Sequence, residues 1–552
     1  MNILIYFLFN WVIILIGRGF SILVKKILNK DIALDTVKIF NHHLFFMYPL
    51  LGLFIIGNIS FIGNFFIPVD NILFKILFLF LILINLSEKI NISNIRLFIT
   101  NTFIIPLLLF FSTYSVNLAQ DAGLYQLNSQ LWIKSSRTVI GLSNLHSRYG
   151  YSSISEYIGA NFWLESNFIL LHFSSLIFIT FFFTFLVNNL YSSSNNFLKY
   201  SSISIIFMGI FDNFGFGGGR NGFIDIDSVM KQDTAFAILF FYGSISMINL
   251  IINQEFSLLN IFYVSLIILF SIQFRIFGFV MLIIFLYYLF LSILDGLRLS
   301  HIFIYLSPAA LLLTAWTIKN IMISGCMVYP VELTCLDSLY WYEIGYATAE
   351  SNDLRIFHMA YGVGDNIFLW FEDWMQKSTN INAVKNFIVT FLVIILFKRI
   401  YFKNTYKGKF INKYFIIYGY VAVAFLLWFL SAPSTRFGIG IYLLSICLIY
   451  LDIERYHARY KISKFLLNST MIFMVFLSIF MLNRSESYQI LLNNPLSQKQ
   501  LISKSVSYKP NTLGWGVTPT EGSSCWINID CIPVEKKIDS RDGFYRSFFI
   551  EG

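Results

Sequence analysis

The sequence predicts an all-α polytopic membrane protein with about 12–14 transmembrane helices, judged by the roughly 20 residues that each crossing needs. Three observations carry this. Apolar residues make up 57% of the 552 and charged residues only 12%, whereas a soluble domain carries roughly a quarter charged. The apolar residues come in runs long enough to cross the hydrocarbon layer. The basic residues gather in short connections between those runs, as orientation signals do.

Taken in order, the candidate spans lie near 2–23, 44–67, 71–87, 95–113, 161–187, 201–213, 233–252, 256–272, 276–293, 301–318, 385–398, 414–431, 437–451 and 464–482. The opening, MNILIYFLFNWVIILI, has neither a basic leader nor a small-residue cleavage site and reads as a first span. Lys25, Lys26, Lys30 and Lys38 follow that span, Lys89 and Arg96 flank the loop that joins the third and fourth, and Arg298 precedes the tenth. Lys398, Arg399, Lys403, Lys407, Lys409 and Lys413 follow the eleventh, and Arg455, Arg459, Lys461 and Lys464 follow the thirteenth. With alternating spans all of these share one side, which the positive-inside rule makes cytoplasmic. The opposite side carries the outer loops 114–160, 214–232 and 319–384. The chain thus divides into a transmembrane domain, 1–482, and a C-terminal extracytoplasmic segment, 483–552. The net charge of +9 belongs to this topology and not to a nucleic-acid surface. The 62 Phe and 31 Tyr match the usage of an AT-rich genome better than a set of sugar-stacking platforms.

Cysteine placement agrees with that sidedness. Cys447 falls in a span, while Cys326, Cys335, Cys525 and Cys531 all fall outside, where oxidising conditions allow bridges. Cys525 and Cys531 are expected to pair; Cys326 and Cys335 remain open between a bridge and free thiols. The tail, with YKPNTLGWGVTPTEGSSCWINIDCIPVEKK, reads as a small disulfide-closed cap packed against the loop 319–384.

Ionisable groups beside membrane spans are costly and mark candidate function. On the outer side these are Asp121, His146 and Arg148; Arg220, Asp225, Asp227 and Asp233; Arg275 in a tight turn; Lys319, Arg355, His358, Asp365, Glu372 and Asp373; and Arg436 in SAPSTRFG. In the first loop, Leu124, Leu127, Leu131 and Trp132 recur at helical spacing, as in an amphipathic helix lying along the interface. Asp121 at its start is either an ordinary cap or a functional acid. The glycine run in FGFGGGRNGF lacks the Lys-Ser/Thr ending of a nucleotide loop and reads as a turn. Asp233 with Asp225 and Asp227 forms either a cap or an acidic patch open to a divalent cation; no cofactor is otherwise implied. Arg275 and Arg436, held at tight outer turns, suit a phosphate or pyrophosphate at headgroup depth.

The blocks QDAGLYQLNSQLWI, GLSNLHSRYGY, WTIKNIMISGCMVYP with the later Trp341, APSTRF, and the tail pattern CW-x4-CIP resemble those of a family of bacterial multi-pass membrane proteins associated with cell-surface polysaccharide synthesis. That family looks like the GT-C-type glycosyltransferases. The matching blocks run from 120 into the tail and include Asp121, Tyr125, Asn144, His146, Arg148, Asp233, Arg275, Lys319, Asn320, Gly325, Pro330, Trp341, Arg436, Cys525 and Cys531. Gln126 stands where the family pattern has a histidine, Arg275 where it has a lysine, Cys326 where it has an aromatic, and Tyr151-Ser152-Ser153 keeps only the serines of an Asn-Ser pair.

The resemblance implies a GT-C-like fold in the bacterial inner (cytoplasmic) membrane. It implies a polyprenyl-phosphate-linked sugar donor and a glycan or lipid-linked acceptor, with membrane lipids the other partners. Asp121 is then the base that takes the acceptor's proton, with Asp233 a supporting acid. Arg275, Lys319, Arg436 and Arg148 hold the departing phosphate, with Tyr125 and His146 beside them on the substrate. The nearest rival is a polysaccharide polymerase or ligase that works through basic residues. A lipid-linked glycan or small-solute transporter would need charges along a path and repeated halves, which the sequence does not display.

Overall fold

The computed structural model describes residues 2–27, 38–40, 42–89, 95–192, 195–211, 223–229, 231–359, 366–404, 413–453, 456–458 and 500–550. The expected span at 464–482, the glycine run, Arg220, Asp365, Lys30, Lys407, Lys409, Arg455, Arg459, Lys461, Lys464 and the first part of the tail lie outside them.

The described chain is mostly helical, and its strands form only two-stranded pairs. Among the described residues, eight helices are long and apolar enough to cross a membrane: Ile3–Ile27, Leu44–Gly63, Ile169–Tyr191, Gln232–Asn253, Ile276–Leu294, Leu299–Ser324, Ser378–Ile400 and Tyr414–Ser431. Shorter apolar helices occupy Ile72–Ser87, Thr100–Tyr114, Leu258–Phe274 and Thr435–Tyr450. The protein is thus a polytopic helical membrane protein.

Burial sorts these helices into layers. Gln232–Asn253 is buried along its whole length, packed by the helices Ile169–Ser192, Leu258–Phe274, Met281–Leu294 and Thr435–Cys447. The helices at 72–83, 281–294, 299–324, 378–401 and 413–431 expose Ile, Leu and Phe outward, the pattern of a lipid-facing ring. Lipid tails are as apolar as leucine, so close backbone approach has to supply helix association. Gly17 and Gly52 provide it: a Cβ on either would run into the backbone of the facing helix, at Tyr48 and Ile13 respectively.

The two ends of the bundle differ. At one, Lys25 pairs with Glu88 at 2.7 Å and Lys398 with Asp452, close to the predicted cytoplasmic charges. At the other lie the long loops and the tail. Parallel pairing of Asn117–Leu118 with Ser228–Val229 joins the first two loops. In the tail, Tyr508–Pro510 pairs with Val517–Pro519 and Asp539–Arg541 with Ser547–Phe549. Cys525 bonds to Cys531, and Cys326 to Cys335.

The tail packs mainly on the first loop. Trp526 N donates to Gly123 O at 2.8 Å, Ile140 N to Arg546 O at 2.9 Å, and Phe548 N to Ile140 O at 2.9 Å. Contact with 319–384, the expected partner, is lighter: Lys536 reaches Glu343 at 3.7 Å and Tyr340 meets Phe549. This docking corrects the amphipathic interfacial helix. Residues Ala122–Gln126 form a π-turn that runs into the helix Leu127–Ser135. Leu127, Asn128, Gln130 and Trp132 are buried, and Trp132 packs against Trp515 and Phe548. The polar residues of this helix face protein rather than headgroups: Gln130 donates to Glu156 at 3.0 Å and accepts from Trp163 Nε1 at 2.7 Å, while the tail covers Trp132.

Candidate functional site

Three chain segments far apart in sequence end at one point of the loop-bearing end. Asp233 lies in the first turn of Gln232–Asn253, Arg275 directly follows Leu258–Phe274, and Arg436 lies in the first turn of Thr435–Cys447. A carboxylate at a helix start is favoured by the helix dipole, whereas an arginine in that position is not. Arg436 is retained there by its partner. Asp233, its side chain 7% exposed, accepts a hydrogen bond from Arg275 Nη2 through Oδ1, and its Oδ2 lies 3.3 Å from Arg436 Nε. One buried carboxylate therefore serves two guanidiniums and leaves the group net cationic.

The guanidiniums also share an aromatic platform. Arg275 lies 4.1 Å and Arg436 5.0 Å from the centroid of Phe437, a geometry that attracts cations to the ring face. The ring of His358, which ends the helix Tyr346–Phe357, packs edge-on against the same ring at 4.7 Å. Arg436 remains 41% and Arg275 30% exposed, so solvent or a ligand can reach both. Arg275 Nε is buried and has no hydrogen-bond partner among the described residues. Burial, then Arg436, Arg275, Arg148 and Lys377, push the His358 imidazole down to about 3.

Arg148 brings in a second arm. Its Nε lies 3.7 Å from Glu350 Oε1, to which Tyr151 also donates at 2.9 Å, and its guanidinium stands 5.3 Å from the Tyr125 ring. His146 stacks near Tyr125 and Tyr149 and accepts from Arg148 N through Nδ1 at 3.2 Å. Burial and then Arg148 hold its imidazole down at about 3. Asp121, half-buried at the start of the π-turn, makes no capping bond. It lies within electrostatic reach of Tyr125 and Arg148.

Lys319, expected beside the phosphate, is separated from this cluster by its burial. It is wholly enclosed, donates to Phe61 O and to Asn64 Oδ1 at 3.4 Å, and stands 4.3 Å from the rings of Phe61 and Phe65 and 4.6 Å from that of Tyr157. It closes the C-terminal end of the helix Tyr48–Gly63. In the acidic patch Asp225 faces Lys231 at 4.0 Å and accepts from Asp227 N at 3.1 Å, while Asp233 is taken by the arginines. Among the described residues no three His, Cys, Asp or Glu side chains converge.

Two residues escaped the sequence reading. Glu350 is buried on the third loop and looks like one more helix-surface acid. Glu156 stands three residues after the N-cap Ser153, the spacing of a capping box, which disguises it. Its carboxylate instead accepts from Gln130 Nε2 at 3.0 Å and Gln232 Nε2 at 3.1 Å. Burial pushes it up to about 7. Gln232 directly precedes Asp233, so this network backs the arginine cluster.

A family model described as Domain of unknown function (DUF8201) matches residues 3–443. The matched stretch takes in Asp121, Asp233, Arg275 and Arg436. No curated protein and no solved structure matches the chain.

Proposed function

The chain belongs to the DUF8201 family, and we propose that it is a GT-C-like glycosyltransferase of a bacterial inner membrane. It would transfer sugar from a polyprenyl-phosphate donor in cell-surface glycan synthesis. One observation carries this reading: Arg275 and Arg436 share a single buried carboxylate and a single aromatic ring, yet both stay accessible at the loop end of a membrane bundle. Guanidiniums match phosphate oxygens in geometry, and in a water-poor site they stabilise charge growing on a leaving phosphate. Asp233 holds the two arginines in place and is not available for proton transfer while they bind it. Asp121, in electrostatic reach of Arg148, is the base for the acceptor hydroxyl. With a polyprenyl-phosphate-sugar donor in proteoliposomes, Asp121→Ala abolishes transfer and leaves expression intact. Retained transfer removes the base assignment.

The rival polymerase or ligase reading draws on the same cluster, in which arginines rather than acids remain accessible. Under it, Arg436→Ala is inactive while Asp121→Ala still joins lipid-linked glycans.

A further inference from the structure

Among the described residues, His358 is the one titratable group on the Phe437 platform that the transfer scheme above leaves without a role. It is half-buried, and its ring shares Phe437 with Arg275 and Arg436. Arg148 from the turn Ser147–Tyr151 and Lys377 from the junction before Ser378–Tyr401 also act on it electrostatically. The carboxylates of the cluster are already engaged, Asp233 by the two arginines and Glu350 by Arg148 and Tyr151. Among the described residues no hydrogen bond holds either nitrogen of the His358 ring.

We infer that His358 takes up a proton when a phosphate-bearing ligand binds, and that the resulting imidazolium is the general acid for the departing phosphate oxygen. This rests on the lipid-phosphate reading. In the free protein, burial and the surrounding cations keep the ring neutral, at about 3. A phosphate or pyrophosphate seated on the guanidiniums cancels that field. An opposite charge within a few ångströms shifts a group by about 1–3 units, so the ring moves up toward about 5–6, still below its ordinary 6.5 because burial, the larger cause, remains. In the transfer step the acceptor oxygen bonds to the anomeric carbon as the bond from that carbon to the phosphate oxygen breaks. The acceptor's proton passes to Asp121. The departing oxygen keeps the electron pair and takes the proton of His358, which solvent later replaces.

The sign follows from the direction of the shift. Because binding raises the histidine's pKa, affinity strengthens as pH falls through the bound-state value and levels off only below the free-state value.

Calorimetry of the purified protein in nanodiscs with inorganic pyrophosphate, in two buffers of different ionisation heat, measures this directly. Between pH 8 and pH 5 the parent's affinity is expected to rise about twofold to tenfold beyond the rise shown by His358→Gln, as a bound-state value of about 5–6 requires, and the parent takes up the larger share of protons. The ligand's own protonation is common to both proteins and cancels. Equal slopes and equal proton uptake overturn the role of His358 and leave the phosphate site standing. No pyrophosphate binding, or Arg436→Gln binding as tightly as the parent, overturns both readings. Should His358→Gln fail to fold, nitrogen-15 NMR of the parent's histidines decides: one ring that stays neutral through pH 5 when free and titrates at about 5–6 with pyrophosphate is expected. No such ring overturns the inference.

Discussion

Arg275 with Arg436 and Lys319 are cations of the same loop end, and the fold treats them oppositely. The arginines meet one buried carboxylate that they must share, and they keep exposed faces. Lys319 is wholly enclosed by three aromatic rings and a helix-terminal carbonyl. A cation whose donors are spent on protein closes a helix; one left over-supplied relative to its anion is ready for a ligand. The difference is one of satisfaction, and sequence spacing does not record it.

The largest effect that sharpens this contrast belongs to the arginines. Arg436→Gln removes a charge-assisted contact of about 2–3 kcal/mol, so pyrophosphate affinity should fall about 30-fold or more by calorimetry while the helical circular dichroism is kept. Lys319→Met is the counterpart. It should leave pyrophosphate affinity within about twofold and lower the thermal midpoint in detergent, since Phe61 O loses its donor at roughly 1–3 kcal/mol. A loss of affinity equal to that of Arg436→Gln would break the contrast.

Gly123→Ala should act next, through the tail. A Cβ at this position would meet the indole of Trp526, so the cap lifts from the first loop and limited proteolysis of the tail speeds up. An unchanged digestion rate would show that the indole has room to shift.

These contrasts also mark what was legible in the chain. Thirteen of the proposed spans correspond to helices, because hydropathy is a local property and a bilayer imposes a length on it. Asp233, Arg275 and Arg436 were each visible as charges at span ends, yet their convergence was not. It depends on three helix termini meeting across more than two hundred residues of sequence. The polar face of the helix 127–135 was misread as turned to headgroups because the pattern of leucines has the same period whether lipid or packed protein lies opposite. The Cys525–Cys531 bridge was readable from compartment and spacing, whereas the choice of the first loop as the tail's main seat was set by Trp132, Trp515 and Phe548 meeting in space.

Glu156 gives the smallest and most specific effect, behind the cluster rather than in it. Its carboxyl is pushed from 4.5 up to about 7 by burial, against hydrogen bonds from Gln130, Gln232 and Ser155 that lower it. The folded state therefore prefers the protonated form. That stability is complete below the unfolded value of 4.5 and is lost as pH rises through about 7, at most about 3 kcal/mol for a shift of this size. The thermal midpoint of the parent should accordingly decline between pH 5 and pH 8. Glu156→Gln, which cannot ionise and still offers an oxygen to one of the two glutamines, should decline less over the same range. Gln232 hands this network on to Asp233, and the variant should leave pyrophosphate affinity within about twofold of the parent's at pH 6 and pH 8, since the change lies behind the cluster. Parallel melting curves for the two proteins would mean that the carboxyl is already ionised at pH 5, and the backing network would then be a second anion behind the arginines.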